Sequence, residues 1–448
     1  MSEKAVRTNG SIGHNFFFEP EQETFNRAQI ESWQQLRLSA MLQTVLDKNP
    51  FYQGKFRQAG FLEVPRIEDW SRFPFTTKAE LVADAEAHPP YGSNLTYPLQ
   101  SYIRLHQTSG TTGKPLVVLD TPESWEAWKK SWGYIFRAAG VVPGDRVFVA
   151  FSFGPFVGFW PPFEAAAELG LRSLSGGGQT SLQRLKAIQD HQATVLVCTP
   201  SYALHLAEVA RDEGIDPSST SIRITIHAGE PGASITTTKR CIEEAWGARC
   251  FDHIGASEVG AYGFECHLQP GGVHINELEY ICEVIDPASA KPVDSGEMGE
   301  LVLTNLSRWG FPVIRYRTGD LVRLSKKETC SCGRSFRMLM GGILARTDDM
   351  MTIRGVNVYP SAIEAVVRKF GEITEFEAHI YTRKGMQELL LHVEVAASTQ
   401  EQSNLIRDRL ENELRNDLSL RIQVEISPPG SLPRYELKAR RFKHQPSE

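Results

Sequence analysis

The chain has 448 residues, which at roughly 100–200 residues per domain makes room for several domains. Its 41% hydrophobic and 23% charged residues are ordinary for a globular protein and exclude wholesale disorder. A net charge of −6, from 48 Lys and Arg against 54 Asp and Glu, gives no footprint for nucleic acid or an anionic membrane, and seven cysteines without framework spacing indicate a reducing, cytoplasmic compartment.

The N-terminal residues up to Gly13 have no apolar core and do not read as a secretory signal. Residues 21–46 place apolar side chains at helical spacing, and Pro89, Pro90 and Pro98 then break any regular element. The most apolar uncharged run, 147–163, is interrupted by Gly154, Pro155, Gly158, Pro161 and Pro162, a strand–turn pattern and not a membrane span. From about residue 145 strands and helices alternate: strands over 146–152, 193–199 and 221–228, helices over 181–191 and 201–213. Such alternation predicts a mostly parallel sheet covered by helices, with ligands beyond the carboxyl ends of its strands. Those ends run into loops 153–159, 199–202 and 229–234.

The last hundred residues read as a separate α+β unit. Ser361 and Glu364 predict a capping box before a helix that buries Ile363, Val366, Val367 and Phe370. Residues 388–396 and 421–427 alternate as half-buried strands, and 399–418 repeat Ile406, Leu410, Leu414 and Leu418 four apart. The expected architecture is α/β: a large N-terminal domain, 1–347, with mostly parallel sheets covered by helices, and a small C-terminal α+β domain, 348–448.

Thr108, Ser109, Gly110, Thr111, Thr112, Gly113 and Lys114 form a Gly- and hydroxyl-rich stretch that can wrap N–H and O–H groups around phosphates. It is not the usual P-loop, because its glycines are too close and Pro115 stands where Ser or Thr would bind Mg²⁺. On composition alone a polar surface loop accounts for it equally well. Phe151, Phe153, Phe156, Phe159, Trp160 and Phe163 crowd one segment, either as core or as an aromatic-lined pocket. Cys266 with His274, and Cys330 with Cys332, make two pairs about 55 residues apart, enough ligands for a Cys3His zinc site. Buried free thiols are the plainer reading, and the one given to Cys198, Cys241, Cys250 and Cys282. No Gly-x-Ser-x-Gly elbow, His-Glu-x-x-His helix or Rossmann glycine pattern occurs.

Taken in order, these segments resemble the adenylate-forming superfamily of acyl-CoA ligases, luciferases and peptide-synthetase adenylation domains. The stretch 108–115 resembles its phosphate loop, and Gly229-Glu230-Pro231 its adenine segment. Gly255-Ala-Ser257-Glu258 resembles its Gly-x-Ser/Thr-Glu motif, and Tyr316-Arg-Thr-Gly-Asp320 its ribose motif. Arg346 to Asp349, with the run from Ile353 to Asn357, resembles the hinge, and the run from Pro433 to Lys438 the C-terminal lysine loop. Arg-Gly-Val-Asn-Val-Tyr-Pro at 354–360 and the spacing from Asp252 to Glu258 are similar to the phenylacetate-CoA ligase branch, which also carries a like Cys/His pattern.

The resemblance implies ATP, Mg²⁺ and coenzyme A as co-reactants and an aromatic acid as substrate, with a structural Zn²⁺ on Cys266, His274, Cys330 and Cys332. It implies that Glu258 holds Mg²⁺ and that Lys438 meets charge at the α-phosphate. Asp320 would hold the ribose and Arg346 would reach the ribose or a phosphate, with Ile254 and Ser257 also against the nucleotide. Phe151, Phe156, Phe159, Ala228, Gly229 and Gly255 would surround the acid, and Asp348 would be the hinge. Two positions depart from the family: Ile254 stands where Tyr is usual, and Leu437 where Gly is usual. Bulk at 159–163, where relatives carry glycines, favours a flat acid of the benzoate, salicylate or anthranilate type. Two rivals remain at this stage: delivery of the adenylate to a carrier-protein thiol or an amine, and a non-catalytic acyl-AMP-binding relative. Nucleic acid and membrane are not expected partners, and a homodimer stays open.

Overall fold

The computed structural model describes residues 16–61, 63–65, 67–108, 114–151, 154–158, 160–354, 356–383, 386–396, 399–435 and 439–445. Ser109, Gly110, Thr111, Thr112, Gly113, Phe159 and Lys438, with Phe153 and Leu437, lie outside the described residues.

The first helices are α1 (Pro20–Glu23), α2 (Arg27–Lys48), α3 (Pro50–Gln58) and α4 (Lys78–Ala87). On α2, Ile30, Gln34, Leu38, Met41 and Val45 are buried at helical spacing, and Asn26 with Gln29 closes a capping box at its start. Strands β1 (Arg104–Gln107) and β2 (Val117–Asp120) form an antiparallel hairpin, followed by α5 (Pro122–Ala138).

The predicted alternation then appears. Its elements are β3 (Arg146–Val149), α6 (Trp160–Glu168), β4 (Arg172–Ser175), α7 (Ser181–Asp190), β5 (Val195–Cys198), α8 (Pro200–Asp212), β6 (Ile224–His227), α9 (Thr236–Trp246) and β7 (Arg249–Ala256). Strands β4, β3, β5, β6 and β7 are parallel neighbours in that order. Alternate side chains serve opposite faces. Val147, Val149, Val195 and Val197 pack under α5 and α6 with Trp128, Trp132 and Ala165. Phe148, Leu196 and Cys198 pack under α7, α8 and α9 with Leu185, Leu206 and Trp246.

After β7 the sheet turns antiparallel through β8 (Gly260–Cys266) and β9 (Gln269–Ile275). The chain then builds a second sheet from β10 (Tyr280–Ile285), β11 (Met298–Asn305) and β12 (Tyr316–Arg323). Strand β13 (Met338–Met340) returns to the edge of the first sheet, and β14 (Ala345–Arg346) closes the second on β12. The parallel character predicted for the large domain is therefore confined to β3–β7; the hairpin order of residues after 249 forces antiparallel pairing.

Residues from 351 form a further sheet from β15 (Met351–Ile353), β16 (Val356–Val358), β17 (Ile373–Arg383), β18 (Met386–Val395), β19 (Gln423–Ser427) and β20 (Phe442–His444). Helices α10 (Pro360–Val367) and α11 (Gln400–Leu418) cover it, with Ile363, Val367, Leu410 and Leu414 against Ala378, Leu391 and Val393. Thr399 and Gln402 form the capping box of α11. The box expected at Ser361 and Glu364 is not formed. The helix starts two residues earlier, because Pro360 takes the first helical position, and the Ser361 hydroxyl donates to the Leu344 carbonyl at 2.7 Å. No helix among the described residues is long and apolar enough to cross a membrane.

Candidate active site and candidate metal centre

The loops after β5, β6 and β7 lie at the carboxyl ends of the parallel strands, where an open α/β sheet leaves its crevice. Thr199 caps α8, accepting from the Tyr202 N–H, with Pro200 at the first helical position. Gly229 adopts φ +95° after β6, a conformation that favours glycine. Next to it the Glu230 carboxylate accepts from two backbone N–H groups, Ser201 at 2.8 Å and Ala439 at 2.7 Å.

Glu258 hangs on the tight turn between β7 and β8. A Cβ on Gly255 would lie 2.9 Å from the Gly260 carbonyl oxygen, so glycine is what lets the two strands close. The Glu258 side chain is 8% exposed. Its Oε1 accepts from the Tyr316 hydroxyl at 2.7 Å, and Lys78 Nζ, at the start of α4, stands 3.7 Å from the same oxygen. Burial, then the Glu258 charge, holds the Tyr316 phenol well above its usual range, so it stays a donor.

Asp320 stands four residues further along β12, just past an irregularity in its pairing with β11 where Gly319 adopts φ +76°. Its Oδ1 accepts from Arg346 Nη1 at 2.9 Å across the β12–β14 pair, and its Oδ2 accepts from the Tyr262 hydroxyl at 3.2 Å. Arg346 also forks onto Asp348, with Nε at 2.8 Å and Nη2 at 3.0 Å. One guanidinium thus links Asp320 to Asp348, the residue expected at the hinge.

Thr108 pairs with Leu116: its N–H donates to Leu116 O at 2.9 Å and its Oγ1 accepts from Leu116 N at 3.0 Å. Lys114 pairs with Glu86 of α4 at 2.6 Å. Arg308 ties this hairpin to the Glu258 turn. It is buried, donates from Nε to Asp120 at 2.8 Å, and reaches the carbonyls of Ser257 and Glu258 from Nη1 at 3.2 Å each. Lys78, Tyr262, Arg308 and Asp120 were not legible as site residues, since no local motif marks them and their roles arise from contacts distant in sequence.

Phe151 and Val157 are buried in one cluster with Trp132, Phe251 and Phe264, and Ala228 and Trp160 pack against it. Phe156 is half-buried. Ile254 is buried over Gly263, whose Cβ would lie 2.5 Å from Ile254 Cγ1. Edge-on to Trp132, at 4.7 Å between ring centroids, is His253. Burial pushes its pKa down to about 4, and its Nδ1 donates to the Gly263 carbonyl at 2.8 Å, which makes it a neutral imidazole at pH 7. An open groove of about 590 Å³ between α5 and α6, lined by Phe18, Arg37, Lys129 and Lys130, shares no residue with these loops.

After the 229–231 segment lies a buried polar network. The Ser234 hydroxyl donates to Asp252, the Asp252 N–H donates to Glu265 Oε2 at 2.7 Å, and Lys239 pairs with Glu265 at 2.9 Å. Burial pushes the Asp252 carboxyl up to about 7. A carboxyl raised in the folded state contributes stability that is full below its unfolded value, near 4, and is lost as pH rises through about 7. The unfolding free energy of Asp252→Asn relative to wild type should therefore grow in the variant's favour between these values and level off above them. Denaturant titrations of both proteins across that pH range check it.

Away from the loops, Cys266 at the end of β8, His274 in β9, and Cys330 and Cys332 on the connection from β12 to β13 are all buried, with one ligand atom of each within 4.8 Å of the others. Cys266 Sγ is 3.6 Å from Cys330 Sγ, and Cys332 Sγ is 3.5 Å from His274 Nε2. Zn–S bonds of about 2.3 Å at the tetrahedral angle hold sulfurs about 3.7 Å apart, so the spacing fits a zinc ion. His274 Nδ1 donates to the Phe336 carbonyl at 3.2 Å, which turns the Nε2 lone pair to the sulfurs. Buried Arg334 donates to Cys332 Sγ at 3.7 Å and to Glu23 at 2.7 Å, tethering the Cys pair to α1.

Residues 355–445 match the AMP-binding enzyme C-terminal domain family. A phenylacetate-coenzyme A ligase of Thermus thermophilus is 33% identical over 442 residues, covering 94% of this chain and 97% of its own. That of Pseudomonas putida is 35% identical over 413 residues, covering 90% and 91%. Among solved structures, 2-hydroxyisobutyryl-CoA ligase in its postadenylation state, in complex with R3-HIB-AMP, superposes with TM-score 0.90 at 30% identity, covering 99% of this chain and 95% of that one. The same ligase with 2-HIB-AMP and CoA in the thioesterification state superposes with TM-score 0.72 at 31% identity, covering 100% and 95%.

Proposed function

The chain belongs to the phenylacetate-CoA ligase family of adenylate-forming enzymes, and from that membership we propose that it activates an aromatic carboxylic acid of the benzoate, anthranilate or salicylate type. It is an AMP-forming acid–thiol ligase. A carboxylate does not react directly with a thiol, since oxide would have to leave. ATP converts it to an acyl-adenylate with release of pyrophosphate, and the thiol of coenzyme A then displaces AMP.

In our reading Glu258, aligned by Tyr316, holds Mg²⁺ through a hard oxygen ligand, and the ion would neutralise charge on the leaving pyrophosphate. The loop of Thr108 to Lys114 takes the phosphates, with Lys78 beside Glu258 as a further cation. Asp320 accepts the ribose hydroxyls, and Arg346 supplies a fixed donor fork. The segment Gly229, Glu230 and Pro231, with Ile254 and Ser257, flanks the base. Lys438 meets the charge that develops at the α-phosphate. Residues 1–347 bind the substrates, and 348–448 move about Asp348 between the two steps. The observation that carries the reading is that one strand, β12, bears both the Tyr316 donor that aligns Glu258 and the Asp320 carboxylate that holds Arg346.

The aryl class rests on the family relatives and on the aromatic surroundings of Phe151, Phe156, Ala228 and Trp160. A second reading, a small branched 2-hydroxy acid, is favoured by the TM-score of 0.90 to 2-hydroxyisobutyryl-CoA ligase. Incubation with ATP, Mg²⁺ and coenzyme A against benzoic, anthranilic, salicylic, phenylacetic and 2-hydroxyisobutyric acids, read by mass spectrometry, separates the two. A thioester from the hydroxy acid alone would overturn the aryl reading, and acyl-AMP without thioester would point to a carrier-protein or amine acceptor. Cys266, His274, Cys330 and Cys332 in this reading hold one Zn²⁺ that fastens β8, β9 and the 325–337 connection, remote from the chemistry.

A further inference from the structure

Helix α8 turns one face toward the end of the chain. Ser201, His205 and Glu208 stand four and three residues apart and so form a single stripe. Arg434 forks onto Glu208, with Nε 3.0 Å from Oε2 and Nη2 3.1 Å from Oε1. Arg441 Nη1 donates to Ser201 Oγ at 3.1 Å. Between them, the Glu230 carboxylate bridges the Ser201 and Ala439 N–H groups. Both arginines are rooted in the C-terminal sheet: Arg434 donates to Glu394 of β18 at 2.7 Å, and Arg441 to Glu375 of β17 at 2.7 Å. The contacts therefore join elements on opposite sides of residue 348. Against a burial that pushes it up, His205 and Arg434 hold the Glu208 carboxyl down at about 2, so the fork stays charged at neutral pH.

We propose that Glu208 is a positioning residue for acyl-adenylate formation alone: by anchoring Arg434 it straps the C-terminal sheet onto α8 in the arrangement that serves the first half-reaction, and this strap parts for the second. The proposal rests on the acyl-CoA ligase reading. Its support is that the arrangement carrying these contacts superposes at TM-score 0.90 on a relative's postadenylation state and at 0.72 on that relative's thioesterification state. Solvent access fits a strap that opens on each turnover. The Glu208 and Arg434 side chains are 28% and 22% exposed, so the fork biases the equilibrium without locking it.

Glu208→Gln and Glu208→Ala test this at a partly exposed position of α8. Three readouts are compared with wild type: pyrophosphate release without coenzyme A, thioester formation from synthetic acyl-adenylate plus coenzyme A, and amide hydrogen exchange over 439–445 without substrates. We expect pyrophosphate release to fall about tenfold, thioester formation to stay within about twofold, and exchange to rise about tenfold, with Glu208→Asp restoring part of the loss. Equal losses in both half-reactions would reduce Glu208 to general structural support and overturn the strap, as would unchanged exchange. Should wild type form no acyl-adenylate from any acid, the substrate reading fails, while exchange, which needs no substrate, still decides the strap.

Discussion

Glu258→Gln is expected to slow acyl-adenylate formation by about 10²–10³-fold while leaving thioester formation from preformed acyl-adenylate within about threefold of wild type. The substitution keeps the shape of the side chain, and the Tyr316 hydroxyl can still donate to its remaining oxygen. It removes the charge that recruits a divalent cation and leaves Lys78 without its carboxylate at 3.7 Å. Pyrophosphate departs only in the first half-reaction, so the loss should be confined to it. Pyrophosphate release and thioester formation measured separately give the ratio. A parallel loss in both would make Glu258 a residue that shapes the site and not one that holds the metal.

Cys332→Ser is expected to lower bound zinc from about one equivalent per chain to less than a tenth, and to cost about 3–5 kcal/mol of stability. Cys332 is fully buried between His274 and Arg334. Without the ion, two thiols and an imidazole, groups suited to hold a cation, remain in one dry pocket beside the Arg334 guanidinium. The centre joins β8, β9 and the 325–337 connection, and through Arg334 and Glu23 it also holds α1, so its loss should loosen several elements together. Metal analysis of purified wild type and variant, alongside thermal unfolding, checks both parts. Wild type with less than about a tenth of an equivalent would remove zinc from the account, since a structural site fills near completely.

Local rules were reliable wherever one element could satisfy them by itself. The spacing of Ile406, Leu410 and Leu414 needed only a helix with one apolar face, and that face is buried. At Ser361 the same reasoning misled. Pro360, with its fixed φ and missing N–H, claims the first helical position, and the Ser361 hydroxyl finds a carbonyl seventeen residues away in sequence. The strand expected over 146–152 ends at Val149, where pairing with β4 and β5 stops. Pairing length is set by neighbours and cannot be read from one strand.

The sequence alone determined the α/β class, and resemblance to a family supplied the order of the motifs from Thr108 to Lys438, Glu258 and Asp320 as candidate site acids, and Cys266, His274, Cys330 and Cys332 as candidate metal ligands. The class follows from apolar periodicity, and the motifs and the Cys/His set from the likeness of short segments, in order, to those of a family. Tertiary structure alone decided which groups meet those residues: Tyr316 and Lys78 at Glu258, Tyr262 and Arg346 at Asp320, Arg308 between Asp120 and the Glu258 turn, and Glu208 against Arg434. The physical reason is range. A hydrogen bond or ion pair acts over about 3 Å in space, and only the folded sheets bring residues dozens to hundreds of positions apart within that distance.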